Sequence, residues 1–248
     1  MDNYKGFAAM YDQLMTNAPY QKWGAYICEV LKKQNFETQS PLVLDLACGT
    51  GTMTALLAKK GYDMIGVDKS VDMLATAQEK AYDNNLQILF LRQDMRKLDL
   101  FGTIDAAVCV CDGLNYILKE DELQKVFERV RLFLNPGGVF IFDMNTEYKF
   151  KELLGNRVFE GNAESGAAYE LENKYDMASG INEYNVLFFT EGEEENGFTE
   201  THRQRAYATC NVVQMLNDAG FNSVVATHEY TSEPPRTDSP RVTFVAKA

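Results

Sequence analysis

The strongest constraint on this chain is an alternation of two periodicities that begins at residue 41. Short apolar runs suited to buried strands take turns with segments whose apolar residues recur on one helical face. The runs are LVLDLA (42–47), DMIGVD (63–68), QILFLRQD (87–94), IDAAVCVCD (104–112) and GVFIFDM (138–144). Between them lie TMTALLAKKG, VDMLATAQEKAYDN (71–84) and a segment from about Glu120 in which Leu123, Val126, Phe127, Val130 and Leu134 form a one-sided stripe. Asn135-Pro136-Gly137-Gly138 is read as the stop of that last helix. Strands that are almost continuously apolar, each followed by a helix, predict a parallel sheet covered on both faces.

The pattern changes after about Thr146. Residues 157–207 are rich in Tyr, Phe, Glu and Asn, in alternating segments AYELENKYDM, INEYNVLFFTE and GFTETHRQRAY separated by the turns ASG (178–180) and EEENG (193–197). This predicts an antiparallel β-meander inserted between parallel units, with the acidic run Glu193–Glu195 as a solvated hairpin tip. A helix resumes at 209–219, and two further strands, NSVVATHEY and VTFVAKA, follow with no helix between them. Those two are expected to pair antiparallel.

Composition narrows the functional classes. The chain has 248 residues, 46% of them hydrophobic, and a formal net charge of −12. Such a balance disfavours nucleic acid as a partner, because a polyphosphate is met by a basic surface. No run approaches the roughly 20 apolar residues of a membrane span, and the N-terminus has no signal pattern, so the expected location is the cytoplasm. Cys109 and Cys111 are read as side chains on one face of the fourth strand. The five cysteines are read as reduced and mostly buried, and no metal site is expected.

Within VLDLACGTGT, a glycine turn after the first strand marks a nucleotide-binding crevice. A dinucleotide fingerprint would need a third glycine at position 54, where the chain has Thr54, which weakens a nicotinamide-dependent oxidoreductase reading. Asp45, at the end of the first strand, suits a ligand that is cationic there, such as the sulfonium and amino end of S-adenosylmethionine. Asp68 ends the second strand 23 positions on, where an acid accepts from ribose hydroxyls. Asp94 ends the third, within reach of an adenine amino group.

With these motifs the chain resembles the class I S-adenosylmethionine-dependent methyltransferases. VLDLACGTGTMT looks like the family's first motif, with Ala47, Gly49 and Gly51 at its small positions. GVDKSVDMLATAQEK is similar to the segment that binds ribose and packs on adenine, which implies roles for Asp68, Lys69 and Met73. RQDMRKLDL resembles the adenine-holding segment, implying Asp94 and Met95, and VCVCDGLNYI the fourth-strand motif with Asp112. The resemblance spans about residues 1–148 and 206–248. It implies a Rossmann-like α/β fold with a seven-stranded, mostly parallel sheet of order 3-2-1-4-5-7-6, strand 7 antiparallel. Residues 149–205 would be an inserted lid or substrate subdomain, similar to that of members acting on glycine or amino sugars. The implied cofactor is S-adenosylmethionine, leaving as S-adenosylhomocysteine.

Methyl transfer from a sulfonium needs orientation and, for a hydroxyl acceptor, a base. Tyr11, Tyr116 and His202 are the candidate catalytic groups. Tyr11 lies in YKGFAAMYDQLM, similar to the helix that family members fold over the cofactor. In ETHRQRAY, His202 and Gln204 face one way and Arg203, Arg205 and Tyr207 the other; the latter three are candidate substrate contacts for an acidic acceptor. The fourth-strand motif reads CDGL, without the Pro-Pro signature of enzymes that methylate nucleobase amino groups. A small-molecule N- or O-acceptor is therefore expected. A non-catalytic S-adenosylmethionine sensor or scaffold is the alternative, and a homodimer is left open.

Overall fold

The computed structural model describes residues 4–162, 168–189 and 198–248. Two helices, α1 (Tyr4–Leu14) and α2 (Tyr20–Lys32), precede the first strand, β1 (Leu42–Leu46). Then follow α3 (Thr52–Ala58), β2 (Asp63–Asp68), α4 (Val71–Asp83), β3 (Leu89–Arg92), β4 (Ile104–Cys109), α5 (Glu120–Phe133) and β5 (Leu134–Asn145). Ser70 caps α4, its hydroxyl accepting from the Met73 amide at 3.3 Å. Three acids, Glu120, Asp121 and Glu122, open α5 where the helix dipole favours negative charge.

The strands β1 to β5 are mutually parallel. After the insert come α6 (Thr209–Asp218), β10 (Ser223–His228) and β11 (Arg241–Lys247), the last antiparallel to both β5 and β10. The sheet order is β10-β11-β5-β4-β1-β2-β3. Counting only these seven strands, that is the expected 3-2-1-4-5-7-6.

Alternation along each strand splits the core in two. Leu44, Leu46, Ala107, Phe140 and Phe142 face α5 and α6, where they meet Phe127, Val130 and Leu216. Val43, Ala106, Val108 and Ile141 face α2 and α3, where Trp23, Ile27, Leu31 and Leu57 close over them. Each such side chain contributes about 1.5–3 kcal/mol when buried, so both layers are needed to hold the strand ends in place.

Two boundaries differ from expectation. The helix α5 ends at Phe133, and Leu134 is already in β5; the Asn135-Pro136-Gly137-Gly138 segment is a bulge within that strand. The pairing there jumps from Ile104↔Leu134 to Ala106↔Val139. The strand β4 stops at Cys109, and Cys111 has a left-handed backbone (φ 58°), so the two thiols do not share a strand face. Cys109 is buried and Cys111 is half-buried, while Cys210 is exposed.

After β5 and a π-helical turn (Lys149–Leu154), the insert forms its own antiparallel sheet. Its strands are β6 (Val158–Asn162), β7 (Ala168–Asp176), β8 (Ile181–Phe189) and β9 (Phe198–Arg205), paired in that order as a meander. The Glu193–Glu195 tip lies outside the described residues. One face of this sheet carries Tyr169, Leu171, Tyr184, Val186 and Phe188, which pack on Ala8, Met10, Tyr11 and Leu14 of α1 and on Met73 of α4. Among the described residues no helix is long and apolar enough to cross a membrane.

Candidate active site

The carboxyl ends of β1, β2, β3 and β4 open into one cavity of about 340 Å³. Parallel strands all end on one edge, so a residue just past each strand reaches the same space. Here those residues are Ala47–Gly49, Asp68–Ser70, Gln93–Arg96 and Val110–Gly113. The far wall comes from Tyr11 of α1, Tyr20 of α2, the turn residue Tyr116, and Tyr184 and His202 of the inserted sheet.

The backbone of this rim is strained. Ala47 (φ 58°), Cys111 (φ 58°) and Asp112 (φ 54°) are non-glycine residues in the left-handed region, and all three line the cavity. Such conformations cost energy and persist only where the surroundings over-determine them. For Cys111 and Asp112 the determinant is Asp143 of β5, whose carboxylate accepts from both backbone amides at 3.0 and 2.7 Å.

In the glycine loop, Gly49 (φ 54°) and Gly51 (φ 73°) both need the left-handed region, with different surroundings. A Cβ on Gly51 would lie 2.9 Å from the Ala77 Cβ, whereas one on Gly49 would meet nothing within 4 Å. The Gly49 amide donates to Asp68 Oδ2 at 3.0 Å and the Ser70 amide to Oδ1 at 2.9 Å. Asp68 is thus held against the cavity with one amide on each oxygen, leaving further acceptor capacity on both. Burial raises its pKa, opposed by these amides.

The sequence-predicted positions divide into those the cavity gathers and those it does not. Tyr11, Ala47, Gly49, Asp68, Lys69, Met73, Asp94, Met95, Asp112, Tyr116 and His202 all line it. Gly51 stands just behind, as the N-cap of α3. Asp45 is a correction. It is 1% exposed, lies outside the cavity wall, and accepts from Thr54 Oγ1 at 2.5 Å at the start of α3. Its Oδ1 has no hydrogen-bond partner among the described residues. Burial chiefly, with the Asp68 charge adding, pushes its pKa up to about 7 against the Thr54 hydrogen bond.

Arg203, Arg205 and Tyr207 are a second correction. Arg203 pairs with Glu183 at 2.6 Å on the outer face of the insert. Arg205 reaches the Leu118 carbonyl and Glu120 at 3.0 Å each, and Tyr207 donates to the Ile117 carbonyl. For the two arginines the reason is the alternation that set them opposite His202, which faces the cavity; Tyr207 lies past the end of β9 at Arg205.

Asp94 caps the Met95–Lys97 turn and holds the Arg96 guanidinium, whose hydrogen bond chiefly keeps the carboxyl below its usual pKa. Asp112 accepts from Gln204 of β9 and, at 2.8 Å, from Arg241 of β11. Burial works against its charge, yet Arg241, Lys149 and Gln204 together keep its pKa low. Around α1, Asp12 accepts from Thr50 at 2.6 Å and pairs with Lys80 at 2.7 Å, tying that helix to the glycine loop.

Several participants escaped the sequence reading. Tyr184 lies directly opposite His202 in the β8–β9 register, and no local motif marks it. Glu200, His202 and Gln204 form the inward row of β9, and of these only His202 was singled out. Asp143 carried a usable signal, an acid inside the apolar run GVFIFDM; its partner Arg241 is 98 residues away.

Comparison with known proteins is consistent with this geometry. Residues 43–138 match a family model described as a methyltransferase domain. A protein of Geobacillus sp. (strain WCH70) that carries a methyltransferase designation is 35% identical over 250 aligned positions, covering 98% of this chain and 99% of its own. The crystal structure of an S-adenosylmethionine-dependent methyltransferase from Clostridium acetobutylicum ATCC 824 superposes with a TM-score of 0.87 at 32% identity, covering 98% of each chain. The glycine/sarcosine N-methyltransferase of Halorhodospira halochloris is 29% identical over 141 residues, 56% of this chain and 51% of that protein.

Proposed function

Since the chain belongs to the class I S-adenosylmethionine-dependent methyltransferases, we propose that it methylates a nitrogen of a small-molecule acceptor held between the glycine loop and the inserted sheet. The observation that carries this reading is the single cavity. Tyr184 and His202 of the insert line the same space as Ala47–Gly49 and Asp68, so cofactor and acceptor would share one chamber.

S-adenosylmethionine supplies, when bound, an electrophilic methyl group on a sulfonium. The residues present fit it: the open space beside Gly49 admits a ligand against bare backbone, and Asp68 is fixed at the wall as a hydrogen-bond acceptor. In this reading Asp68 accepts from the ribose hydroxyls, Met73 and Met95 flank the adenine, and Asp94 with Lys69 borders it. The backbone at Ala47 and Gly49 holds the amino-acid end, with Gly51 shaping the turn from behind and Asp112 and Tyr11 beyond it. Asp45 acts from behind, by orienting Thr54 under the loop.

Residues 1–148 and 206–248 then form the cofactor-binding core, and 149–205 a lid that positions the acceptor and excludes water from the reacting centre. A net charge of −12 favours a small molecule over nucleic acid. Nitrogen is preferred to oxygen because a neutral amine attacks without a strong base, and because one relative is a glycine/sarcosine N-methyltransferase.

The test is transfer of label from methyl-labelled S-adenosylmethionine to a panel containing glycine, sarcosine, an amino sugar and matched hydroxyl compounds. Label is expected in an amine. Label confined to hydroxyl compounds would overturn the choice of nitrogen. Calorimetric binding of the cofactor with transfer to no compound would leave a sensor as the better reading.

A further inference from the structure

We propose that Glu200, His202, Tyr116 and Tyr184 form a one-directional proton relay that strips the acceptor amine of its proton before transfer. The proposal rests on the acceptor reading above and adds to it a path and a direction.

Four side chains from three segments meet at the lid side of the cavity. His202 Nε2 lies 3.1 Å from Glu200 Oε2, and its Nδ1 lies 3.3 Å from the Tyr116 hydroxyl. The Tyr116 and Tyr184 hydroxyls are 2.6 Å apart. The Tyr184 ring stacks on the imidazole at 4.8 Å and 12°, fixing its plane. Glu200 is 2% and His202 5% exposed, and Glu200 Oε1 has no hydrogen-bond partner among the described residues.

A carboxylate so buried, on a sheet face it shares with Val186 and Phe188, costs free energy that packing does not return. Replacing it with an apolar residue would serve the lid better. What the carboxylate provides is direction. As an acceptor it requires the proton of the neutral imidazole to be on Nε2, which leaves Nδ1 an acceptor. The Tyr116 hydroxyl must then donate to Nδ1, and the Tyr184 hydroxyl must donate to the Tyr116 oxygen. Every proton in the chain then points toward Glu200, with Tyr184, which lines the cavity, at its head.

The step balances without an added reagent. The N–H bond of an ammonium acceptor breaks, its electron pair stays on nitrogen, and the proton goes to the Tyr184 oxygen. The Tyr184 hydroxyl proton passes to Tyr116 and that of Tyr116 to His202 Nδ1, leaving an imidazolium against Glu200. Glu200 and His202 are positioning residues in this scheme, because the proton reaches them through the two phenols. The other titratable groups at this wall are Tyr11 of α1, Tyr20 of α2 and Cys111, all of which burial holds protonated, and Asp112, which Arg241 and Gln204 already engage.

The chain has two histidines, so nitrogen-15 histidine spectra of the full protein with S-adenosylhomocysteine contain two imidazoles, assigned with His228→Gln. His202 is expected as the Nε2–H tautomer, retained in Glu200→Gln, whose amide oxygen still accepts, and lost in Glu200→Leu. An Nδ1–H tautomer in the wild type, or no change in Glu200→Leu, overturns the relay whatever the acceptor is. With the amine found by the panel, His202→Asn should lower kcat at pH 7 by ~10²-fold, with KM little changed and activity recovering as pH rises and free amine forms. A pH profile superimposable on the wild type would overturn it. Failure of the panel to yield an amine would count against the acceptor reading alone, since the spectra are read without one.

Discussion

Asp45 and Asp68 end adjacent parallel strands, yet their surroundings give them different work. Asp68 is supported by two loop amides and turned to the cavity. Asp68→Ala should therefore weaken S-adenosylmethionine by roughly 1.5–3 kcal/mol through lost charge-assisted hydrogen bonds. Calorimetry checks this, and an unchanged Kd would remove Asp68 from the ribose. Asp45 is shut in with Thr54, and burial lifts its pKa to about 7. A carboxyl whose pKa is raised on folding stabilises the fold fully below its unfolded value, near 3.8, and loses that contribution as pH rises through 7. Asp45→Asn keeps the shape and removes the titration. Its stability relative to wild type should rise between pH 4 and pH 8 by on the order of 4 kcal/mol, read from urea unfolding at each pH. A difference independent of pH would show that Asp45 does not titrate in this range.

At the scale of elements, the strand–loop–helix unit from β1 to α3 separates stability from binding in two neighbouring glycines. Both have positive φ, so any side chain at either adds strain of roughly 1–2 kcal/mol. At Gly51 the side chain would also press into Ala77 of α4, where backbone lies 3.3 Å from the added Cβ. Gly51→Val should lower Tm well beyond the strain alone. Gly49→Val should lower Tm modestly and abolish detectable cofactor binding, because its side chain enters the cavity. Paired thermal melts and calorimetry test the contrast, and equal effects on both readouts would refute it. This unit was legible in the sequence because its signals are local: an apolar run, a glycine turn, a one-sided helix. So were the parallel strands after it and the antiparallel last pair, whose connection has no room for a helix. The bulge in β5 was not, since Asn135-Pro136-Gly137-Gly138 reads as a stop until a neighbouring strand pairs across it. The facing of Arg203 was open for a similar reason. Alternation separates the two faces of β9, and only the packing of β8 on α1 and α4 decides which is inward.

Across the whole molecule, one buried ion network joins the two sheets. Arg241 of β11 binds Asp143 of β5 and Asp112 beyond β4, and Asp112 takes the amide of Gln204 from the insert. Tyr230 also donates to Asp143, and the Arg241 guanidinium lies 5.4 Å over the Trp23 ring. The pairing is not legible locally: Asp143 stands out as an acid in an apolar run and Asp112 by its motif, yet Arg241 looks like an ordinary surface charge until the sheet is assembled. Two carboxylates share one guanidinium here, with Lys149 nearby, so removing Arg241 leaves buried negative charge without its main counter-ion. Arg241→Gln should destabilise the protein by about 3–5 kcal/mol at neutral pH. The pH dependence follows from Asp112. Although burial opposes its charge, Arg241 and its neighbours keep its folded pKa low, so its contribution is present above the unfolded carboxyl pKa and is lost as pH falls through the folded one. In Arg241→Gln that contribution is gone already. The gap between wild type and variant should therefore be widest at pH 6–8 and narrow steadily below about pH 4, as Asp112 takes up its proton. Denaturant unfolding at pH 3.5, 5 and 7 distinguishes this from simple loss of packing, in which the gap would stay constant. The same variant frees Asp112 from its counter-ion while Gln204 still holds it. If the network also fixes the lid, hydrogen exchange along β9 should accelerate in Arg241→Gln more than exchange along β1, which is buried by both core layers.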